Sequence, residues 1–460
     1  MPASHAPTLW CGLLALLAAS VATGCQGYQP LPIDPDAHRA AWLARNIESE
    51  SLVTFARSLQ TADAPVTWDP HDGLSLNEAV VVALFFNPTL RRQRLEALVP
   101  LAAAQHAGDW DDPELSVDGG AVLASVSDPL IIEGGFAITI PFSGRPGRQR
   151  ELEEARHQAA IWQVRVAESE LIVRVREAWL EWSATLQRRD LLQAYAEEVA
   201  PVRDLVMKMA AAGEAPQTEV RAFDLEILTA TGNAQHLTRE ADRQRKAIVA
   251  MLGLVPEAPV ELHPALDATV PDDTGFAADS AGLGLHRSAH DVAEAAVRLE
   301  IAKQYPDLTI GIHGGVEDGQ ARIGLGFGLP FPILNTNRSG IASSRAERRV
   351  TKAAWEETVE LLAQRLADLR YALGNTRTHI TFLADELAPV IDQQLEDVTH
   401  LAGMGQFDAA LQLDALRQRH ETRLALVDSK LTAEIARAQI DALLHPGRER
   451  NTTNTVESDQ

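Results

Sequence analysis

Residues 321–332 read ARIGLGFGLPFP. Ile323, Leu325, Phe327, Leu329 and Phe331 fall on one face of an extended strand, and Arg322, Gly324, Gly326, Gly328 and Pro330 fall on the other. A sheet on a soluble core places ordinary polar side chains opposite its apolar face. Here that second face is almost entirely glycine, so the fold turns on what each face touches.

Three further segments alternate in the same way. Leu115, Val117, Ala121 and Leu123 share a face opposite Ser116 and Asp118. Phe136, Ile138, Ile140 and Phe142 lie opposite Ala137 and Thr139, and Leu308, Ile310, Ile312 and Val316 lie opposite Thr309, His313 and Glu317. Each segment is about ten residues long, the length a tilted strand needs to cross a bilayer. The competing arrangement is a pair of hairpins on a soluble core. Four matching segments in two pairs favour a membrane barrel, with one face toward lipid and the other toward a water-filled lumen. The smallest membrane barrels have about eight strands, and an open edge in lipid leaves backbone groups unpaired. Other copies must therefore complete the barrel: a dimer supplies eight strands and a trimer twelve.

The segments belong to an internal duplication. DDPELSVDGGAVLA (111–124) and GGFAITIPFSGRPGRQRELEEARHQAA (134–160) return as YPDLTIGIHGG (305–315) and RIGLGFGLPFPILNTNRSGIASSRAERR (322–349), offset by about 190 residues. Each copy reads as a helix, two strands, a long helix, a Gly-containing turn and a returning helix. The turns are MAAAGEAPQTEV (209–220) and LAGMGQFDAAL (401–411). The first long helix runs from about Ser143 to Ala212 with a kink expected at Pro201, and at 1.5 Å per residue it is on the order of 100 Å long. The second runs from about Ser339 to Gly403, with Pro389 in the corresponding position. In the first, Leu152, Ala159, Val166, Val173 and Leu180 recur every seven residues. So do Val164, Leu171, Ala178, Leu192 and Val199, with an interruption at Thr185. The two series lie about 150° apart, as suits a helix with a neighbour on either side in a cylinder of helices.

Bulk composition narrows the function classes. The chain has 460 residues, 46% hydrophobic, with a net charge of −23, which excludes a nucleic-acid binder. Aromatics make up 5%, so an aromatic-lined cofactor pocket is not expected. Both cysteines are near the N-terminus. Leu13-Leu14-Ala15-Leu16-Leu17-Ala18-Ala19 is an apolar core of signal-peptide length, too short to span a bilayer. Ala22-Thr23-Gly24-Cys25 then resembles a bacterial lipobox, making Cys25 the lipid-modified first residue of the mature chain. An ordinary signal peptide cleaved nearby is the alternative. Gln26, in place of an inner-membrane Asp signal, points to the outer membrane.

The order of elements, duplicated behind a lipobox, resembles the TolC-like outer-membrane efflux proteins. The resemblance is carried by SLNEAVVVALFFNPTLRRQRLEA (75–97), GDWDDPELSV (108–117) and PFPILNTNRSGIASSRAE (330–347), and it covers residues from about 74 to 445. It implies a mainly α fold: a homotrimer with a twelve-stranded outer-membrane β-barrel continued by a long periplasmic α-helical barrel. It also implies a passive exit duct, joined through a periplasmic adaptor protein to an inner-membrane pump of the RND type. DDPELSV and LPFPILNTNRSGI resemble the branch serving heavy-metal cation pumps most. Drug or organic-solute efflux and type I secretion use ducts of the same fold, and a pore-less coiled-coil envelope lipoprotein is the rival of another class. The domains expected are a signal peptide (1–24), an N-terminal periplasmic extension wrapping the assembly (25–73), repeats at 74–262 and 263–445, and a disordered tail (446–460).

No catalytic constellation is legible, and no cofactor is expected beyond covalent lipid on Cys25. His286 and His290 stand at helical i, i+4 spacing without a third ligand nearby, so they read as solvated or interfacial and no metal site is assigned. The Gly134-Gly135 and Gly314-Gly315 pairs lack the Lys-Ser/Thr of a phosphate loop. The two turns carry the sharper expectation. Gly213 and Gly405 suit left-handed positions at helix C-termini. Gln217 or Thr218 starts one returning helix, and Asp408 caps the other. By resemblance these turns form the adaptor-docking end, with Gly213, Gly405, Glu214 and Thr218 at the tip. Asp408 and Glu219, with Glu214 as a further candidate, would then supply a charged ring at the constriction.

Overall fold

The computed structural model describes residues 27–59, 68–69, 72–121, 130–266, 280–317 and 320–444. Cys25, the signal segment, Leu123 and the C-terminal tail lie outside these. The chain divides into two compact units, Met1–Arg45 and Asn46–Gln460. In the first, helix α1 (Pro35–Leu43) begins at Asp34, whose carboxylate accepts from the Ala37 amide at 2.9 Å.

The second unit repeats one plan twice. Its elements are α2 (Glu50–Ser58), α3 (Leu76–Phe86), α4 (Pro88–His106), β1 (Glu114–Ala121), β2 (Leu130–Ile140), α5 (Arg145–Ala212), α6 (Gln217–Met251), α7 (Ala281–Ala302), β3 (Leu308–Glu317), β4 (Gln320–Gly328), α8 (Arg338–Thr381), α9 (Ala388–Gly403) and α10 (Ala409–Leu444). Among the described residues no helix is long and apolar enough to cross a membrane.

The four strands make one antiparallel sheet in the order β1-β2-β3-β4, so the hairpins of the two repeats are joined through β2 and β3. Its register sorts the faces as the alternation requires. Leu115, Phe136, Ile312 and Leu325 stand in one cross-strand row, all exposed. On the opposite face Ser116, Gly135, His313 and Gly324 form one row, and Asp118, Glu133, Gly315 and Arg322 the next.

These rows explain the glycines. A Cβ at Gly324 would stand 2.4 Å from the His313 ring, and one at Gly315 would stand 2.8 Å from the Glu133 side chain. Glycine therefore alternates with large side chains across the polar face, as the crowded interior of a curved sheet requires. The face is not bare, as ARIGLGFGLPFP read in isolation suggests. His313 lies over Gly324.

Below the sheet, α5 packs against α4 and α6 and also against α7 and α10, while α8 packs against α7 and α10. This gives the long helix neighbours for both of its seams. Val164, Leu171, Val199 and Val206 are buried at heptad spacing, and Thr185 is buried on the same series. Its hydroxyl donates to the Glu181 carbonyl at 2.9 Å, so the seam passes through Thr185 without interruption. The helix also runs unbroken through Pro201. In the second copy, a π-helical turn (Phe382–Leu387) precedes Pro389. Pro389 lacks an N–H and its ring crowds the carbonyl four residues back, and the wider turn just upstream relieves that crowding.

The largest core sits at the waist. Trp179 is fully buried there, with Leu171, Val175 and Trp182 on the same helix. The Trp179 indole donates to the His263 carbonyl at 3.2 Å. Ser183 accepts from the Ala265 amide at 3.1 Å, which ties the inter-repeat linker to α5. Leu52, Phe55 and Ala56 of α2 belong to this core, so part of the expected outer extension packs inside the repeat unit. Helix α3 starts with a Ser75–Glu78 capping box. Asn87 caps α4 and donates to the Met251 carbonyl at 2.9 Å, closing the first repeat on itself.

Candidate functional site

The first functional surface is the sheet. Leu115, Val117, Ile132, Phe136, Ile312, Val316, Ile323, Leu325 and Phe327 are all exposed on its strands. So large a continuous apolar surface marks an interaction site, and its strand length is that of a bilayer crossing. Four exposed aromatics stand at the four strand ends nearest the helices: Trp110 before β1, Phe142 after β2, Tyr305 before β3 and Phe331 after β4. Girdles of aromatic side chains flank the apolar band of membrane barrels, and Trp110 and Tyr305 also carry a polar group that can meet water. In a chain this poor in aromatics, one standing two to four residues from each of these strand ends was the signal that could have revealed the rim.

The rim is fastened to the helices by charge and backbone geometry. Arg145, the first residue of α5, pairs with Asp307 at 3.0 Å and Asp111 at 3.5 Å, while Ser143 donates to Asp307 at 2.8 Å. One cation thus joins the approaches to β1 and β3. Gly144 and Asn337, each immediately before a long helix, both adopt left-handed backbone, with φ of 66° and 54°. Asn337 is held there by donating to the Glu300 backbone carbonyl at 2.9 Å and its carboxylate at 2.7 Å.

Both sheet and helices end in unpaired edges on the same two sides. Edge strand β1 follows α4, and edge strand β4 precedes α8. On the first side α4 exposes Leu95 and Val99, and α6 exposes Leu225 and Leu228. On the second, α8 exposes Val350, Leu361 and Tyr371, and α9 exposes Val390. Different surfaces on the two sides suit head-to-tail association into a ring.

The tips are near copies of each other. Gly213 and Gly405 take φ of 82° and 84°. The Gly213 amide donates to Ala210 and Glu214 to Met209; likewise Gly405 donates to Ala402 and Gln406 to Leu401. These are paired Schellman closures. Asp408 caps α10, accepting from the Ala410 and Leu411 amides at 3.0 Å each. The other returning helix begins at Gln217, one of the two residues expected to start it, with Thr218 following exposed and Pro216 in the cap position without a side-chain bond. Proline at this point fixes φ and lacks only an amide that the helix start would leave unpaired. Glu214 and Asp408 are exposed and Glu219 is half-buried. The acids sit on two separate turns.

A polar joint holds the two hairpins together above the tips. Tyr195 on α5 donates to Glu226 on α6 at 2.8 Å, Arg417 on α10 donates to the same carboxylate at 2.9 Å, and the His420 ring stacks on Tyr195 at 4.5 Å. Arg419 and Arg423 reach Glu198 at 2.6 and 3.4 Å. Burial, then the neighbouring Glu226, pushes the Tyr195 hydroxyl well above the usual phenol range, so it remains a donor. Burial alone would raise Glu226, but hydrogen bonds from Arg417 and Tyr195 outweigh it and hold the carboxyl below its ordinary value. Burial holds the His420 imidazole low, against the pull of Glu421, Glu198 and Glu226. Nothing in the sequence pattern announced this joint, because its members are far apart in the chain.

Among the described residues no group of three or more His, Cys, Asp or Glu could hold a metal ion. His290 is within 3.2 Å of the Thr351 hydroxyl, a contact between α7 and α8.

No protein-family model and no curated protein matches the chain. Solved structures do. The outer membrane protein VceC from Vibrio cholerae aligns with a TM-score of 0.68 at 18% identity, over 80% of this chain and 95% of VceC. The outer-membrane channel OprN aligns at 0.70 with 18% identity, over 91% and 98%. CusC, whose structures concern transmembrane channel formation, aligns at 0.67 with 16% identity, over 80% and 91%. The fold is that of the TolC-like outer-membrane efflux channels.

Proposed function

We propose that the chain is the outer-membrane exit duct of a tripartite efflux system, anchored by lipid on Cys25 and working as a homotrimer. Three copies joined edge to edge give a twelve-stranded barrel continued by a helical tunnel. Solute moves through it passively, and an RND-type inner-membrane pump supplies the energy through a periplasmic adaptor. The observation that carries this reading is the shared pair of open edges: the four-stranded sheet and the helices beneath it are unfinished on the same two sides. In lipid an unpaired strand edge is too costly to persist. A pore-less tether would leave the apolar strand face and its aromatic rim unexplained.

Heavy-metal cations are the substrate we assign. The supporting features are the DDPELSV and LPFPILNTNRSGI segments and the net charge of −23. Acidic groups raise the local concentration of cations in an aqueous passage.

The test is size and conductance together. Purified in detergent, the mature protein is expected at three times the mass of one processed chain. In planar bilayers it should give cation-selective steps. A monodisperse monomer with intact strand content would refute the duct, and anion-selective steps from a trimer would refute the substrate class alone.

A further inference from the structure

We infer that the outward faces of α6 and α9 form the seam between neighbouring copies in the tip half, through Arg221 against Glu396 and Leu228 against Val390. This rests on the trimeric reading and assigns it residues.

Within one chain, residues equally far from the two tip glycines lie side by side. Arg417, twelve residues past Gly405, bonds Glu226, thirteen past Gly213. Arg419, fourteen past Gly405, pairs with Glu198, fifteen before Gly213. The hairpins are thus level, and distance from the tip glycine measures height in both. In a ring with rotational symmetry the same ruler applies from one copy to the next.

On α6 the buried residues Val220, Phe223, Ala230 and Ala234 define the inner face. Opposite them, at i, i+3 and i+4 steps, run Arg221, Leu225, Leu228 and Gly232, all exposed. On α9 Ile391, Leu395 and Val398 face inward, and Glu396, Gln393 and Val390 are exposed around the outer side. Two of three heights match in kind, and the middle one sets Leu225 against Gln393. Arg221 is eight residues from its tip glycine and Glu396 nine. Leu225 and Gln393 are both at twelve, and Leu228 and Val390 are both at fifteen. One side thus offers a cation below an apolar pair, and the other offers an acid below an apolar residue. Two copies of the same edge would oppose like with like. The second copy of this chain is therefore the occupant, placed head to tail.

The Leu228→Cys, Val390→Cys double variant is compared with each single variant, in detergent, with a short bis-maleimide. Every copy then carries both halves of the seam, so the expected product migrates in SDS at three times the monomer mass, while the single variants remain largely monomeric. A trimer by light scattering that yields no such product overturns the seam and leaves the trimer standing. A monomer by light scattering overturns both. In a second arm, Arg221→Glu should lower the temperature at which the trimer dissociates, and adding Glu396→Arg should restore it. A double variant no better than the single one overturns the Arg221–Glu396 pairing.

Discussion

Glycine has three distinct roles in this chain, and the space around each predicts how it tolerates change. At Gly253 φ is 85° and an added Cβ would lie 2.3 Å from the Phe86 carbonyl oxygen, inside the waist core. At Gly324 the obstacle is the His313 ring on the sheet. At Gly213 and Gly405 an added Cβ meets nothing within 4 Å, so only the backbone conformation resists substitution. A side chain in a left-handed position is strained by roughly 1–2 kcal/mol. That is small beside the packing of the long helices above. The double change Gly213→Val, Gly405→Val should leave trimer yield and outer-membrane location near normal and abolish efflux-dependent resistance, because in the proposed duct the new side chains would stand where the adaptor approaches. Full resistance in that variant would show that the turns are not the docking end. The positive φ at both turns was legible from glycine at the end of a long apolar repeat. So was the start of α6 at Gln217, but its cap, Pro216, was not, because proline offers no side-chain bond to a helix start. Proline wins there by its fixed φ and missing amide.

Among the elements, strands and seams were legible because their signals are periodic and local. Alternation placed Leu325 and Phe327 on one face, and heptads placed Leu171 and Val199 in one seam. The joint of Tyr195, Glu226, Arg417 and His420 is the opposite case. It exists only once three helices are packed, and its pKa shifts follow from that packing. They set a pH dependence with a definite sign. His420 is held below the ordinary histidine value of about 6.5, and Glu226 below the ordinary glutamate value. The unfolded chain therefore binds more protons at both groups, so their contribution is complete above about pH 6.5 and is lost as pH falls. Tyr195 is shifted upward, so its contribution is lost as pH rises above the ordinary tyrosine value of about 10. His420 faces Tyr195, Glu198, Glu226, Arg417 and Arg423, with Glu421 beside it in sequence. Between pH 7.5 and 5.5, about one unit either side of the histidine value, the wild-type chain should lose more thermal stability than His420→Gln. Equal losses measured by circular dichroism melting would show that His420 is not the responsive group.

At the scale of the whole molecule, the proposed duct raises the question of what would hold it in the outer membrane. One acyl chain by itself gives only marginal, reversible membrane binding. Each protomer also presents nine large apolar side chains on its strands, from Leu115 to Phe327. Even at about 1 kcal/mol apiece when lipid replaces water, these are comparable with one buried acyl chain at about 0.8 kcal/mol per CH2. The aromatic rim of Trp110, Phe142, Tyr305 and Phe331 adds anchorage at the boundary. The lipid proposed on Cys25 would then serve delivery and tethering before the barrel closes, with the strands able to retain the protein afterwards. Changing Cys25 to Ser should abolish labelling by radioactive fatty acid and reduce the amount of trimer delivered, while the trimers that form stay in the membrane through a carbonate wash. Absence of label in the wild-type chain would remove the lipid anchor and leave the duct intact. Complete release of the Cys25→Ser chain into the wash would show that the strands do not insert, and the barrel would fall with them.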